Sequence, residues 1–276
     1  MKQLVVTADD FGLSKGITDG ILDAHRNGIV TRTSIMAAGT AFEYAAEQAR
    51  LHPRLGLGLH LTLVEETAVS APEHIPSLVD SEGRLPSSYS TLVKGVMLRR
   101  IRLVDIETEV RAQIEKCTRA GLRLTHIDSH QHVHTLPSIL RIVLRVAEEH
   151  GIRRIRLPLD SPSRFGARGH SRFLAKSALC WIARYGADKV RNQGLFSYDR
   201  MTGLFESGAL NEERLLNILD LIKSGTTELV CHPGKEDSAC RENYAHWGYQ
   251  WEEELNALTS PLVREQVRVN GIQLVQ

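Results

Sequence analysis

The sequence predicts an α/β chain built on a mainly parallel sheet, either closed into a barrel or left open and doubly wound. Two observations and one rule of chain handedness predict it. Short apolar, β-branched runs alternate with segments of helical apolar spacing along the chain, as parallel βα units require. Right-handed crossovers then leave only those two closures. Finally, Asp9-Asp10, His60, Asp128 with His130, Arg156 and His232 each fall at the carboxyl end of a different predicted strand. In a parallel α/β barrel those ends share one rim, and that rim carries the site. With 276 residues and 42% hydrophobic content, the chain reads as one domain, residues 1–276, with a sizeable core.

The elements follow in order. Leu4 to Thr7 is the first strand, ended by Asp9-Asp10-Phe11-Gly12. Ile17, Ile21, Leu22 and Ala24 keep helical spacing, with Gly28 as the stop. Thr33 to Met36 is the second strand. Thr40-Ala41-Phe42-Glu43 has the form of a capping box opening a helix that ends before Pro53. Leu55 to Leu61 is the third strand. Val64 to Leu103 lacks a clear period and predicts a long loop with short helices. Ile106, Val110, Ile114 and Cys117 form a helical stripe closed by Gly121. Leu122 to Ile127 is the next strand. Pro137 opens a helix that Gly151 stops, and Arg154 to Leu157 is a short strand. Asn211 caps a helix carrying Leu215, Leu216, Ile218, Leu219 and Ile222. Thr226 to Cys231 and Gly271 to Val275 complete the strands.

A formal charge of +1 gives no basis for nucleic-acid binding. Cys117, Cys180, Cys231 and Cys240 are far apart and show no C-x-x-C pair, so they read as free thiols in a reducing, cytoplasmic compartment. No apolar run suits a signal peptide or a membrane span. Two basic amphipathic stretches, Lys94 to Leu103 and Ser171 to Gly186, stand out. In the second, Leu174, Ala178, Trp181 and Tyr185 follow helical spacing, with Arg172, Lys176 and Arg184 elsewhere. An outer helix with this stripe on the core is expected. The sharper alternative is peripheral contact with a lipid surface or a lipid-linked substrate.

The chemistry concentrates in His126-Ile127-Asp128-Ser129-His130-Gln131-His132-Val133-His134, where four of the twelve histidines occupy nine residues. All five titratable groups have even numbers, so an extended strand would turn them to one face. Imidazoles and carboxylates gathered on a rim suit a divalent metal. A catalytic zinc-type site uses three protein ligands and keeps a position open. Asp10, His60 and His130 make such a set, with Asp128 and the other histidines orienting them by hydrogen bonds. Asp9 and Asp10 are adjacent and point in different directions, so one can bind metal while the other faces a bound water. By parity Arg154 and Arg156 share a face, and one of them can pair with Asp9 and hold it ionised. His232, before Pro233-Gly234, is a candidate proton donor near neutral pH.

Thr7-Ala8-Asp9-Asp10-Phe11-Gly12-Leu13-Ser14, Gly58-Leu59-His60-Leu61, the His126–His134 run and Cys231-His232-Pro233-Gly234 resemble, in order and over almost the whole chain, the YdjC/ChbG-like carbohydrate deacetylases. The resemblance implies an irregular (β/α) barrel of the glycoside hydrolase/deacetylase type. It implies one divalent metal ion, magnesium or zinc, on Asp10, His60 and His130, with Asp9 as the base. The implied substrate is an N-acetylated sugar that loses its acetyl group. Arg154 to Pro158 and Tyr198 to Gly208 are similar to a hopanoid-associated branch, whose substrate is a glycolipid, whereas His126 to His130 is similar to the chito-oligosaccharide branch. A homodimer is compatible with all of this. Two other classes use comparable residues. A barrel amidohydrolase or phosphoesterase would take His130 and His132 as its ligand pair, though such families carry H-x-H near the first strand. A sugar- or metal-binding protein would need no base such as Asp9.

Overall fold

The computed structural model describes residues 1–160 and 170–276. Its frame is one sheet of eight parallel strands: β1 (Lys2–Phe11), β2 (Arg32–Ile35), β3 (Gly56–Leu61), β4 (His126–Ser129), β5 (Arg154–Ile155), β6 (Arg200–Thr202), β7 (Gly225–Cys231) and β8 (Ile272–Leu274). The order is β5-β4-β3-β2-β1-β7-β6, with β8 beside the first half of β1. The two ends of this order approach each other. Ile155 N donates to Phe196 O at 2.9 Å, Phe196 N to Arg153 O at 2.9 Å, and Met201 N to Leu159 O at 3.3 Å. The chain leading into β6 thus closes the sheet against β5 and makes an irregular barrel.

Nine α-helices accompany the strands among the described residues. They are α1 (Lys15–Asn27), α2 (Phe42–Leu51), α3 (Tyr89–Met97), α4 (Leu103–Arg119), α5 (Pro137–Glu149), α6 (His170–Asn192), α7 (Glu212–Asp220), α8 (Trp251–Thr259) and α9 (Pro261–Val269). Local chemistry sets their starts. Ser14 and Asn211 accept from the Ile17 and Arg214 amides, and Pro137 and Pro261 occupy first turns. The capping box at Thr40 does not form. Thr40 Oγ1 instead donates to Leu13 O at 2.7 Å, tying the loop after β1 to this turn, and α2 starts at Phe42 without a side-chain cap.

Between sheet and helices lies the aliphatic core, including Leu4, Val6, Ile21, Ile35, Leu59, Ile114, Ile127, Val143 and Leu229, all buried. The barrel interior is different. Thr7, Asp9, Ser34, His60, His126, Asp128, Arg156 and Glu228 are buried there in place of the branched aliphatics that usually fill such barrels. Two β3 glycines make room for them. A Cβ on Gly56 would lie 2.8 Å from Arg32 Cγ, and one on Gly58 would lie 2.4 Å from the His126 ring.

One expected surface is reversed. On α6, Leu174, Trp181 and Tyr185 are exposed by 67, 73 and 63%, while Cys180, Ala183 and Val190 are buried. The helix lies over α5, where Gly186 meets Leu140, and over the turn after β4. Those neighbours take its opposite side, so the stripe expected on the core faces outward. The Arg172 side chain lies outside the described residues. No helix among the described residues is long and apolar enough to cross a membrane.

Gly58→Ala should destabilise the fold by about 1–3 kcal/mol, the usual range for overpacking. Denaturant unfolding measures this, and Gly121→Ala, a residue with nothing within 4 Å of the added Cβ but a φ of +74°, gives the backbone-strain comparison.

Candidate active site

The β1 end carries two adjacent carboxylates into one site because the strand bulges there. Ala8 pairs with Thr33 and Phe11 with Ile35, so three steps along β1 match two along β2. Asp10 takes the extra step in a left-handed conformation, φ 68°. Regular alternation would have sent Asp9 and Asp10 to opposite faces. The bulge returns both to the rim.

Asp9 meets Arg156, which follows β5. Nη1 donates to Asp9 Oδ2 at 2.7 Å and Nη2 to Oδ1 at 2.9 Å, a bidentate fork. The same guanidinium lies 2.9 Å from Asp128 Oδ2 and donates from Nε to Glu228 Oε1 at 3.1 Å. Glu228 also accepts from Thr7 Oγ1, and Asp9 from Ser34 Oγ. Burial would raise the Asp9 pKa, but Arg156 and then His60 outweigh it and hold the carboxyl below the ordinary range. The predicted arginine–Asp9 pair therefore forms, and Arg156 is the member that makes it. Arg154 instead stacks on Tyr198.

Asp10, His60 and His130 converge, with one ligand atom from each within 4.8 Å of the others. His60 Nε2 lies 3.3 Å, and His130 Nδ1 3.5 Å, from Asp10 Oδ1. Those separations resemble the edge of about 3.3–3.4 Å in a tetrahedron of ~2.0–2.1 Å zinc–ligand bonds. Both Asp10 oxygens are buried and have no hydrogen-bond partner in good geometry. A buried carboxylate left so is costly unless a cation meets it. The donor set of one carboxylate and two imidazoles fits a borderline divalent ion. Each imidazole is also braced from behind. The β3–β4 register sets His60 opposite Asp128, and Nδ1 lies 2.7 Å from Asp128 Oδ1. His130 Nε2 lies 3.0 Å from Glu65 Oε2. Burial would lower both imidazole pKa values. Asp9 and Asp128 push His60 up to about 10, and Asp10 and Glu65 push His130 up to about 9.

The His-rich run does not present all its groups on one face. Alternation holds through Asp128 in β4. After Ser129 the chain turns, and Gln131 and His132 adopt left-handed φ values of 52° and 54°. His134 is thereby spent on structure. Its Nε2 lies 2.7 Å from Arg156 O and its Nδ1 2.5 Å from Ser129 Oγ. His126 sits low in the barrel, and burial followed by Arg32 and Arg156 keeps it well below the ordinary imidazole range. His132 lines the cavity beside His130 but joins no group of three candidate ligands among the described residues.

His232 follows β7, and Tyr249 packs edge-on against its ring at 4.9 Å. Its Nδ1 is buried without a hydrogen-bond partner, 3.9 Å from Glu254 Oε2, and its backbone N–H donates to that same oxygen at 2.6 Å. Asp9, His60, His130 and His232 line one cavity of about 540 Å³. Ala178, Leu179, Ile182 and Leu204 form an apolar wall of it. Glu65, Glu228, Glu254 and the aromatic residues Trp247 and Tyr249 were not foreseen from the sequence. Only Glu228 carried a signal, its parity with the inward end of β7.

A family model described as YdjC-like protein matches residues 3–269. The carbohydrate deacetylase of Brevibacillus brevis is 34% identical over 275 residues, covering 99% of this chain and 97% of that protein. That of Geobacillus stearothermophilus is 35% identical over 272 residues, covering 98% and 95%. The human carbohydrate deacetylase is 32% identical over 292 residues, covering 99% and 89%. A crystal structure from Enterococcus faecalis V583 matches with a TM-score of 0.77 at 28% identity, covering 100% of this chain and 97% of that one. With its two rim carboxylates, its histidines and its irregular barrel, this chain belongs to the YdjC-like family.

Proposed function

We propose that the protein is a metal-dependent carbohydrate N-deacetylase. Its substrate is an N-acetylated sugar, as an oligosaccharide or a glycolipid, whose acetamide it hydrolyses to acetate and an amine. One observation carries this: the two adjacent carboxylates of β1 have opposite surroundings. Asp10 faces two braced imidazoles with its oxygens unmet, while Asp9 is clamped by Arg156 at the wall of the same cavity. The carbohydrate deacetylases among the relatives support the choice of substrate class.

Asp10, His60 and His130 would hold the divalent ion, zinc or magnesium. Such an ion, when bound, supplies Lewis acidity toward an attacking water and a carbonyl oxygen. Asp9 is ionised at neutral pH and accepts the proton of the attacking water, with Arg156 fixing which lone pairs remain free. His232 delivers a proton to the departing amine nitrogen. Glu254 fixes the backbone that carries His232, and the Tyr249 ring limits its rotation. The cavity walls position the sugar so that the acetamide meets these groups together, a gain in proximity rather than in chemistry.

A glycolipid is favoured among the substrates by α6. Ala178, Leu179 and Ile182 line the cavity, and Leu174, Trp181 and Tyr185 continue the apolar surface outward on the same helix. An apolar tail beside the sugar would lie along this path, and the exposed stripe would give peripheral contact with a membrane surface. Four buried free cysteines support a reducing, cytoplasmic setting for the enzyme, as monomer or homodimer.

The direct test is acetate release from a panel of N-acetylated oligosaccharides and glycolipids. Turnover that a chelator abolishes and added zinc or magnesium restores is expected. A full panel with no release would overturn the assignment. Asp9→Asn should keep the metal and lose roughly 10²–10⁴-fold in kcat, the range for a lost general base. Metal analysis and kinetics on the same preparation check this, and loss of metal would exchange the roles of Asp9 and Asp10. His232→Ala should lose roughly 10²-fold or more on the amide, whose amine leaves poorly, and little on nitrophenyl acetate, whose leaving group needs no proton. Equal losses in kcat/KM on the two substrates would assign His232 to positioning instead.

A further inference from the structure

The two imidazoles facing Asp10 are braced by carboxylates of different kinds. Asp128 comes from β4, fully buried, and reaches His60 through the β3–β4 register. Glu65 comes from the loop after β3, and its side chain is 17% exposed. Its backbone is left-handed, φ 70°, a conformation costly for a residue with a Cβ. The loop nonetheless holds it there. Glu65 N donates to Pro86 O at 2.9 Å. On α4, Gln113 pairs with both backbone groups of Thr62, and Glu109 accepts from the Val69 and Ser70 amides. On its other side the His130 ring lies over Trp247, centroids 4.8 Å apart and planes at 31°.

We propose that Glu65 is a positioning residue that fixes the His130 ring with Nδ1 turned toward a divalent cation on Asp10 and His60. The proposal rests on the metal assignment made above. A carboxylate accepting from Nε2–H leaves the lone pair on Nδ1 and locks the ring's rotation. Trp247 fixes the ring plane, and the α4 anchors fix where Glu65 stands. One histidine of the site is therefore set by the sheet and the other by a loop at the cavity edge.

Zinc alone is the probe, titrated calorimetrically into the metal-free full chain, as wild type, Glu65→Ala and Glu65→Gln. Glu65→Ala should bind zinc about 10–100-fold more weakly, the usual loss when such a bracing partner is removed. Glu65→Gln should fall between, because its amide oxygen still accepts from Nε2–H but carries no charge. Cobalt(II) supplies a spectroscopic check: its visible bands should shift in Glu65→Ala, whereas a purely structural loop residue would leave them in place. If Glu65→Ala folds poorly, Glu65→Gln carries the comparison. Both variants binding zinc as tightly as wild type, with unchanged cobalt bands, would overturn the role of Glu65. A wild type that binds no zinc or cobalt would instead overturn the metal assignment, and this proposal with it.

Discussion

Three strands at the rim depend on one buried cation. Arg156 reaches into the barrel and meets Asp9 of β1, Asp128 of β4 and Glu228 of β7. Three strands, distant in sequence, are thus tied through a single planar group whose fork geometry sets the angle of each carboxylate. Removing one partner of such a buried pair typically costs about 3–5 kcal/mol, because the other charge stays behind uncompensated. The ion pairs add little net stability against an all-apolar alternative. What they provide is a fixed arrangement of charge just beneath the cavity.

That arrangement explains the unusual filling of the barrel. A polar interior needs space for long side chains in fixed positions, and the glycines of β3 leave it for Arg32 and His126. The hydrophobic stabilisation comes instead from the layer between sheet and helices, where the large aliphatic core is buried. The barrel thus separates two tasks that a simple core combines. Its outer layer holds the fold, and its inner layer orients ionised groups.

Much of this was legible in the sequence wherever a period governed the residue. Helical spacing found α1, α4, α5 and α7, the carboxyl ends of predicted strands placed His60 and Arg156 on the rim, and strand alternation turned His126 and Asp128 to one face. The same rule failed at His134, because two left-handed residues after Ser129 break the alternation. It failed for the α6 stripe because apolar spacing records that a face is apolar, not what covers it. Glu65 and Trp247 belong to segments without a period, and the loop carrying Glu65 depends on tertiary anchors such as Glu109 and Gln113. Glu254 sits among Glu252 and Glu253 in the first turn of α8, where acidic residues already favour the helix end. Nothing local separates the buried one from its neighbours.

The left-handed backbone at Asp10 also bears on how this site can change over generations. Residues that tolerate that conformation without a large cost are few: glycine, asparagine and aspartate foremost. Drift at this position is therefore channelled toward asparagine or glycine, which keep the bulge and the fold but remove the charge. Asp9, in the β1 strand, has no such filter and is held by its pairing with Arg156 and the Ser34 hydroxyl. A descendant of this chain can thus lose the Asp10 charge with its barrel intact.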